Sequence, residues 1–174
     1  LSIRRQRQMC IRDRLGNLFS RTLAMISKYL GGSVASAPFD AGCRLHGVLT
    51  DAVAGYSGYM ERMEFSRALG AFWPAVQSAN RFIEEQAPWA LAKDENKRGE
   101  LEAVFRELLA VLRTAGSVLF PFMPGKMGDM LAQLGDDGPS LDRLPPSVSG
   151  ADGLAAPEPL FPRIQERPED IFKD

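Results

Sequence analysis

LEAVFRELLAVLRTAGSVL, residues 101–119, decides the fold. Leu101, Val104, Phe105, Leu108, Val111, Leu112, Ala115 and Leu119 recur every three or four positions, the spacing that collects side chains on one face of an α-helix. The stretch predicts the most regular amphipathic helix in the chain, entered from the polar segment 93–99 and followed by Pro121 and Pro124. A helix with one broad apolar stripe must bury it against other elements, and the same periodicity recurs on both sides.

Upstream, Leu15, Leu18, Phe19, Thr22, Met25, Ile26 and Tyr29 form a stripe that Gly31-Gly32 terminates, with Asn17, Arg21, Ala24 and Lys28 on the other face. Leu45, Leu49, Ala52, Tyr56, Met60 and Met63 predict a second helix, for which Asp40 is the expected N-cap. Phe65, Leu69, Phe72, Val76, Ala79 and Ile83 predict a third over residues 64–86, bent at Pro74 and stopped by Pro88, with Trp73 in the core and Trp89 at the corner. Downstream, Met127, Met130, Leu131 and Leu134 predict a short last helix closed by Gly135. No segment reads as a strand. Short links between amphipathic helices predict an all-α, antiparallel bundle of about five helices over residues 15–135. Residues 136–174 read as an irregular Pro/Gly-rich tail: 136–163 hold six of the twelve prolines, and Leu160-Phe161 is the apolar anchor expected to pack back through 159–164.

With 174 residues and 45% hydrophobic content the chain can build one core or be a piece of something larger. Its apolar runs fall far short of the roughly 20 residues that span a bilayer, so no membrane partner is expected. Cys10 and Cys43 have no Cys or His partner at ligand spacing, so neither a disulfide framework nor a metal site is expected. Residues 1–14 hold five arginines and one aspartate with no apolar period; they read as a non-native segment resembling translated sequencing adaptor, with a basic nucleic-acid arm as the alternative. Without them 16 basic and 21 acidic side chains remain, a net of −5, so bulk charge does not advertise an RNA binder and recognition would need a local patch.

Two passages carry a family resemblance: residues 15–23, LGNLFSRTL, and residues 79–93, ANRFIEEQAPWALAK. With LFPFMP at 119–124, QLG at 133–135 and PLFPRI at 159–164, they resemble the anticodon-binding domain of bacterial methionyl-tRNA synthetases over roughly residues 15–164. The resemblance implies a helical bundle beneath a Rossmann-type catalytic domain that lies outside these residues, so the chain is expected to be truncated. It implies a cytoplasmic ligase that charges methionine tRNA, with the CAU anticodon stem-loop and the chain's own catalytic domain as partners. ATP and Mg²⁺ belong to that missing domain. No catalytic residue and no cofactor are expected here, because the two ATP signatures of the family and any glycine-rich phosphate loop are absent.

By spacing alone Asn17 and Arg21 lie one turn apart on a helix face and would serve as solvated surface. The resemblance makes them readers of the first anticodon base: an unstacked cytosine offers two acceptors and an amine, which an amide and a guanidinium suit. It makes Trp89 the stacking platform. Asn80, Arg81, Pro88 and Lys93 belong to the same motif as possible support, and Lys28, Lys97 and Arg98 are further candidate phosphate contacts. His46 joins no catalytic constellation, and Glu84-Glu85 reads as a capping and surface feature. The rival readings are the anticodon domain of a sister synthetase for isoleucine, valine, leucine or cysteine, or a helical module that binds protein.

Overall fold

The computed structural model describes residues 11–142 and 144–161. The expectations for residues 1–10 and for the tail beyond 161 lie outside the described residues. The chain enters through a π-helical turn, Ile11–Gly16, that runs straight into α1, Asn17–Leu30. Strand β1, Val34–Pro38, is followed by α2, His46–Glu61, and α3, Phe65–Gln86. The one-turn α4, Pro88–Leu91, and a 3₁₀ turn, Glu95–Lys97, lead to α5, Arg98–Leu119, then α6, Pro124–Gln133, and β2, Val148–Ala151.

Helix α5 is the axle. Leu108, Leu109, Ala110, Val111, Leu112 and Ala115 are fully buried, so the helix is enclosed on more than the single stripe its periodicity predicts. Around it pack Leu18, Phe19 and Ile26 of α1, Leu49 of α2, Phe72, Val76 and Ile83 of α3, and Met127 and Met130 of α6, in one continuous core. Gly116 lets α6 approach closely, since a Cβ there would lie 2.7 Å from Leu131 Cδ2. Trp73 is only half-buried at the edge of this core. Pro74 lies on the exposed side of α3, which continues unbroken through it.

Two further expectations are corrected. The chain contains strands: β1 and β2 form an antiparallel ribbon with Val34 opposite Ala151 and Pro38 opposite Val148. Neither strand has an alternating apolar pattern, because both are short and lie across α5 rather than over a core of their own. Nor does Asp40 cap α2. Its Oδ1 accepts from the Gly42 N–H at 2.9 Å, closing a local turn. The carboxylate at the start of α2 comes from Glu107 of α5, whose Oε2 accepts from the Leu45 N–H at 2.7 Å. Glu107 is buried, and its charge lies where the helix dipole and an otherwise orphaned donor favour an anion.

The tail returns to the bundle. Leu154 and Leu160 are buried, and a Cβ on Gly16 would meet the Phe161 ring at 3.0 Å. Arg113 of α5 fastens the loop after α6 and the ribbon together: Nε donates to Asp136 Oδ2 at 2.8 Å, Nη1 to the Gly150 carbonyl at 2.6 Å and Nη2 to the Leu134 carbonyl at 3.0 Å. No helix among the described residues is long and apolar enough to cross a membrane.

Candidate nucleic-acid interface

Helices α1 and α3 meet through two side chains of α3 spaced one turn apart. Asn80 donates from Nδ2 to the Arg14 carbonyl at 3.3 Å and to the Val76 carbonyl of its own helix at 2.8 Å, pinning the entry of α1. Glu84 reaches Arg21, with Oε1 2.7 Å from Nη1. Arg21 therefore does not wave free in solvent. Its guanidinium is held at the α1–α3 junction by a pair exposed enough to exchange, worth about 0–1 kcal/mol. Asn17, one turn earlier on α1, is exposed and makes no side-chain hydrogen bond among the described residues.

Helix α3 stops by geometry as well as composition. Ala87 sits at φ 43°, ψ 60°, in the left-handed region, and its N–H still donates to the Ile83 carbonyl at 3.2 Å. A non-glycine residue there costs about 1–2 kcal/mol, held by the structure on both sides. Pro88, at the first position of α4, is buried beneath the corner and lends its fixed φ to the new helix. Burying Pro88 turns the next side chain outward: Trp89 is 38% exposed and is the second residue of this short helix, which packs on α5. Lys93, just beyond α4, is exposed.

The structure thus ties Arg21 to the end of α3 and puts Trp89 five residues beyond Glu84, across the corner. Trp89 makes no hydrogen bond or ion pair to Asn17 or Arg21; the connection runs through Glu84 and α3. Arg44, which the sequence reading did not single out, joins the same region. Its Nη2 lies 2.8 Å from Glu85 Oε2 and its guanidinium lies 5.4 Å from the Phe82 ring centroid. Nothing in its local sequence marks it, since its partner is 41 positions away. Both members of the Glu84-Glu85 pair are therefore engaged by arginines from other segments. His46 opens α2 with its ring tilted against Phe39, centroids 5.3 Å apart. Among the described residues no group of three or more His, Cys, Asp or Glu is arranged to hold a metal ion.

Comparison with known proteins agrees on the family. The model for the anticodon binding domain of methionyl tRNA ligase matches residues 34–173. The chain is 36% identical over 170 residues to the methionine–tRNA ligase of Enterococcus faecalis and 38% identical over 166 residues to that of Bacillus subtilis, in each case covering 91% of this chain and 25% of the relative. The methionyl-tRNA synthetase of Mycobacterium tuberculosis, solved in complex with methionyl-adenylate, superposes with a TM-score of 0.76 at 26% identity over 90% of this chain and 32% of that one. The chain thus spans about a quarter of the length of these curated relatives. With a family model over most of its length and curated relatives above 30% identity, the chain belongs to the family of methionyl-tRNA ligase anticodon-binding domains.

Proposed function

We propose that these residues serve a methionine–tRNA ligase by reading the CAU anticodon of methionine tRNA. The observation that carries this reading is the corner at Ala87, which presents an exposed indole next to the helix end that holds Arg21. Trp89 offers a flat platform on which an unstacked base gains about 1–3 kcal/mol. Asn17 supplies a donor and an acceptor, and Arg21 supplies donors only, a combination that suits the edge of a cytosine. Glu84 keeps the guanidinium in place and is weakly enough paired, at the surface, to yield it to a base. Asn80 and Pro88 act as supports, one anchoring α1 and the other turning the corner.

In this reading methionine activation, with ATP and Mg²⁺, belongs to the part of the ligase outside these residues, in the cytoplasm where tRNA is charged. The test is Trp89→Ala in the whole ligase. Charging of methionine tRNA should fall at least tenfold while methionine-dependent pyrophosphate exchange stays unchanged, because only the RNA step uses this surface. Equal loss of both would make Trp89 a folding residue and end the proposal. Arg21→Ala should lower charging in the same selective way, and competition by tRNAs altered at the first anticodon base should lose its sensitivity to that base.

A further inference from the structure

We propose that Arg81 is a phosphate anchor for the RNA strand whose bases are read at Asn17, Arg21 and Trp89; the assignment rests on the decoding reading above and extends it to the backbone. On α3, residues 80, 81, 84 and 85 occupy adjacent rows of one outward face. Asn80 and Glu84 turn to α1, and Glu85 turns to Arg44 in the segment before α2. Arg81 lies on the row between the two glutamates. Both carboxylates within its reach along the helix are taken, Glu84 by Arg21 at 2.7 Å and Glu85 by Arg44 at 2.8 Å. Arg81 itself is exposed and makes no ion pair or hydrogen bond among the described residues.

The result is a row of three guanidiniums, Arg21, Arg81 and Arg44, against two carboxylates, a local excess of positive charge on a chain whose formal net charge is −1. An unpaired guanidinium presents a planar fork that matches two phosphate oxygens, and this one is roughly one and a half helical turns from the corner that carries Trp89. A base stacked on that indole brings its own backbone past the face of α3. Lys93 and Lys97 beyond the corner are exposed too, but they stand among Asp94, Glu95 and Glu100, and Arg98 is paired with Glu102 at 3.2 Å. Arg81 is the cation of this region best placed to give its charge to a phosphate.

The test compares Arg81→Gln, Arg81→Lys and Trp89→Ala in the whole ligase, titrated with a fluorescent anticodon stem-loop bearing CAU and with loops altered at the first anticodon base, over a series of salt concentrations. Arg81→Gln should weaken every loop by a similar factor, about three- to tenfold at low salt, and make the plot of log affinity against log salt shallower by about 0.7. Arg81→Lys should keep the slope. Preference for CAU should survive both and be lost in Trp89→Ala. An unchanged slope in Arg81→Gln, with preference still lost in Trp89→Ala, overturns the phosphate assignment and leaves decoding intact. Preference that persists in Trp89→Ala removes the decoding reading and this inference with it. A melting temperature lowered equally in both Arg81 variants, with the slope unchanged, assigns Arg81 to folding and overturns the proposal.

Discussion

Two regions of this molecule spend charged side chains in contrasting ways. Along α5, Glu107 and Arg113 are largely withdrawn from water and every contact is directed: one carboxylate oxygen on a helix-start N–H, one guanidinium shared among Asp136 and two carbonyls. At the junction of α1 with the end of α3, arginines and glutamates meet as exposed pairs with one guanidinium to spare. The first arrangement fixes where elements sit, because removing one partner strands the others without water. The second contributes little to stability and leaves groups available to another molecule. Charge in the interior specifies the fold; charge on the rim, in the proposed reading, serves binding.

Substitutions at four positions sharpen or break this contrast. Arg113→Ala should have the largest effect, about 3 kcal/mol of unfolding free energy, since it leaves Asp136 and the Gly150 and Leu134 carbonyls without their donor; urea unfolding measures it. A loss under 1 kcal/mol would mean that the ribbon and the loop after α6 hold without it. Glu107→Ala should cost about 2 kcal/mol by orphaning the Leu45 N–H, and Glu107→Gln, which keeps an acceptor, should recover part of that loss in the same measurement. Trp89→Ala should leave the unfolding midpoint within about 0.5 kcal/mol of the parent while RNA affinity drops by about 1–3 kcal/mol. A matching fall in stability would place the indole with the α5 seam rather than the rim.

The smallest effect is expected at Tyr56, whose hydroxyl donates to the Val118 carbonyl at 2.7 Å and joins α2 to α5. Tyr56→Phe should cost about 1 kcal/mol at neutral pH. Burial raises the Tyr56 phenol above its usual value of 10.0, so the folded chain keeps that proton longer than the unfolded one. The contribution is fully present below pH 10 and disappears as the pH climbs through the folded value. Thermal melts in alkali should therefore show the gap between parent and Phe variant narrowing above pH 10.

Most helices were legible because their signal is local. The three-and-four spacing of α1, α3 and α5, the Gly31 stop at φ 66° and Pro88 after α3 all act within a few residues of the boundary they mark. What escaped is long-range. The ribbon joins two short segments without apolar alternation, and the cap of α2 comes from Glu107 on a different helix, which no reading of residues near Asp40 can find. The candidate interface divides in the same way. Pro88-Trp89 announces a corner in the sequence, but the engagement of Arg21 by Glu84 and of Glu85 by Arg44 depends on how helices pack. The availability of Arg81 follows from those pairings and is equally invisible in a linear chain.

The ribbon also bears on how the domain is made. Ser33, just before β1, donates to Asp152, just after β2, across 119 positions, so the amino-terminal strand has no partner until almost all of the described chain has been translated. At synthesis rates of roughly 5–20 residues per second that is a wait on the order of ten seconds, during which β1 is an unpaired edge beside a growing bundle. Its Ala-Ser-Ala-Pro composition, poor in the residues that favour aggregation, suits a strand that must stay unattached for so long on the ribosome.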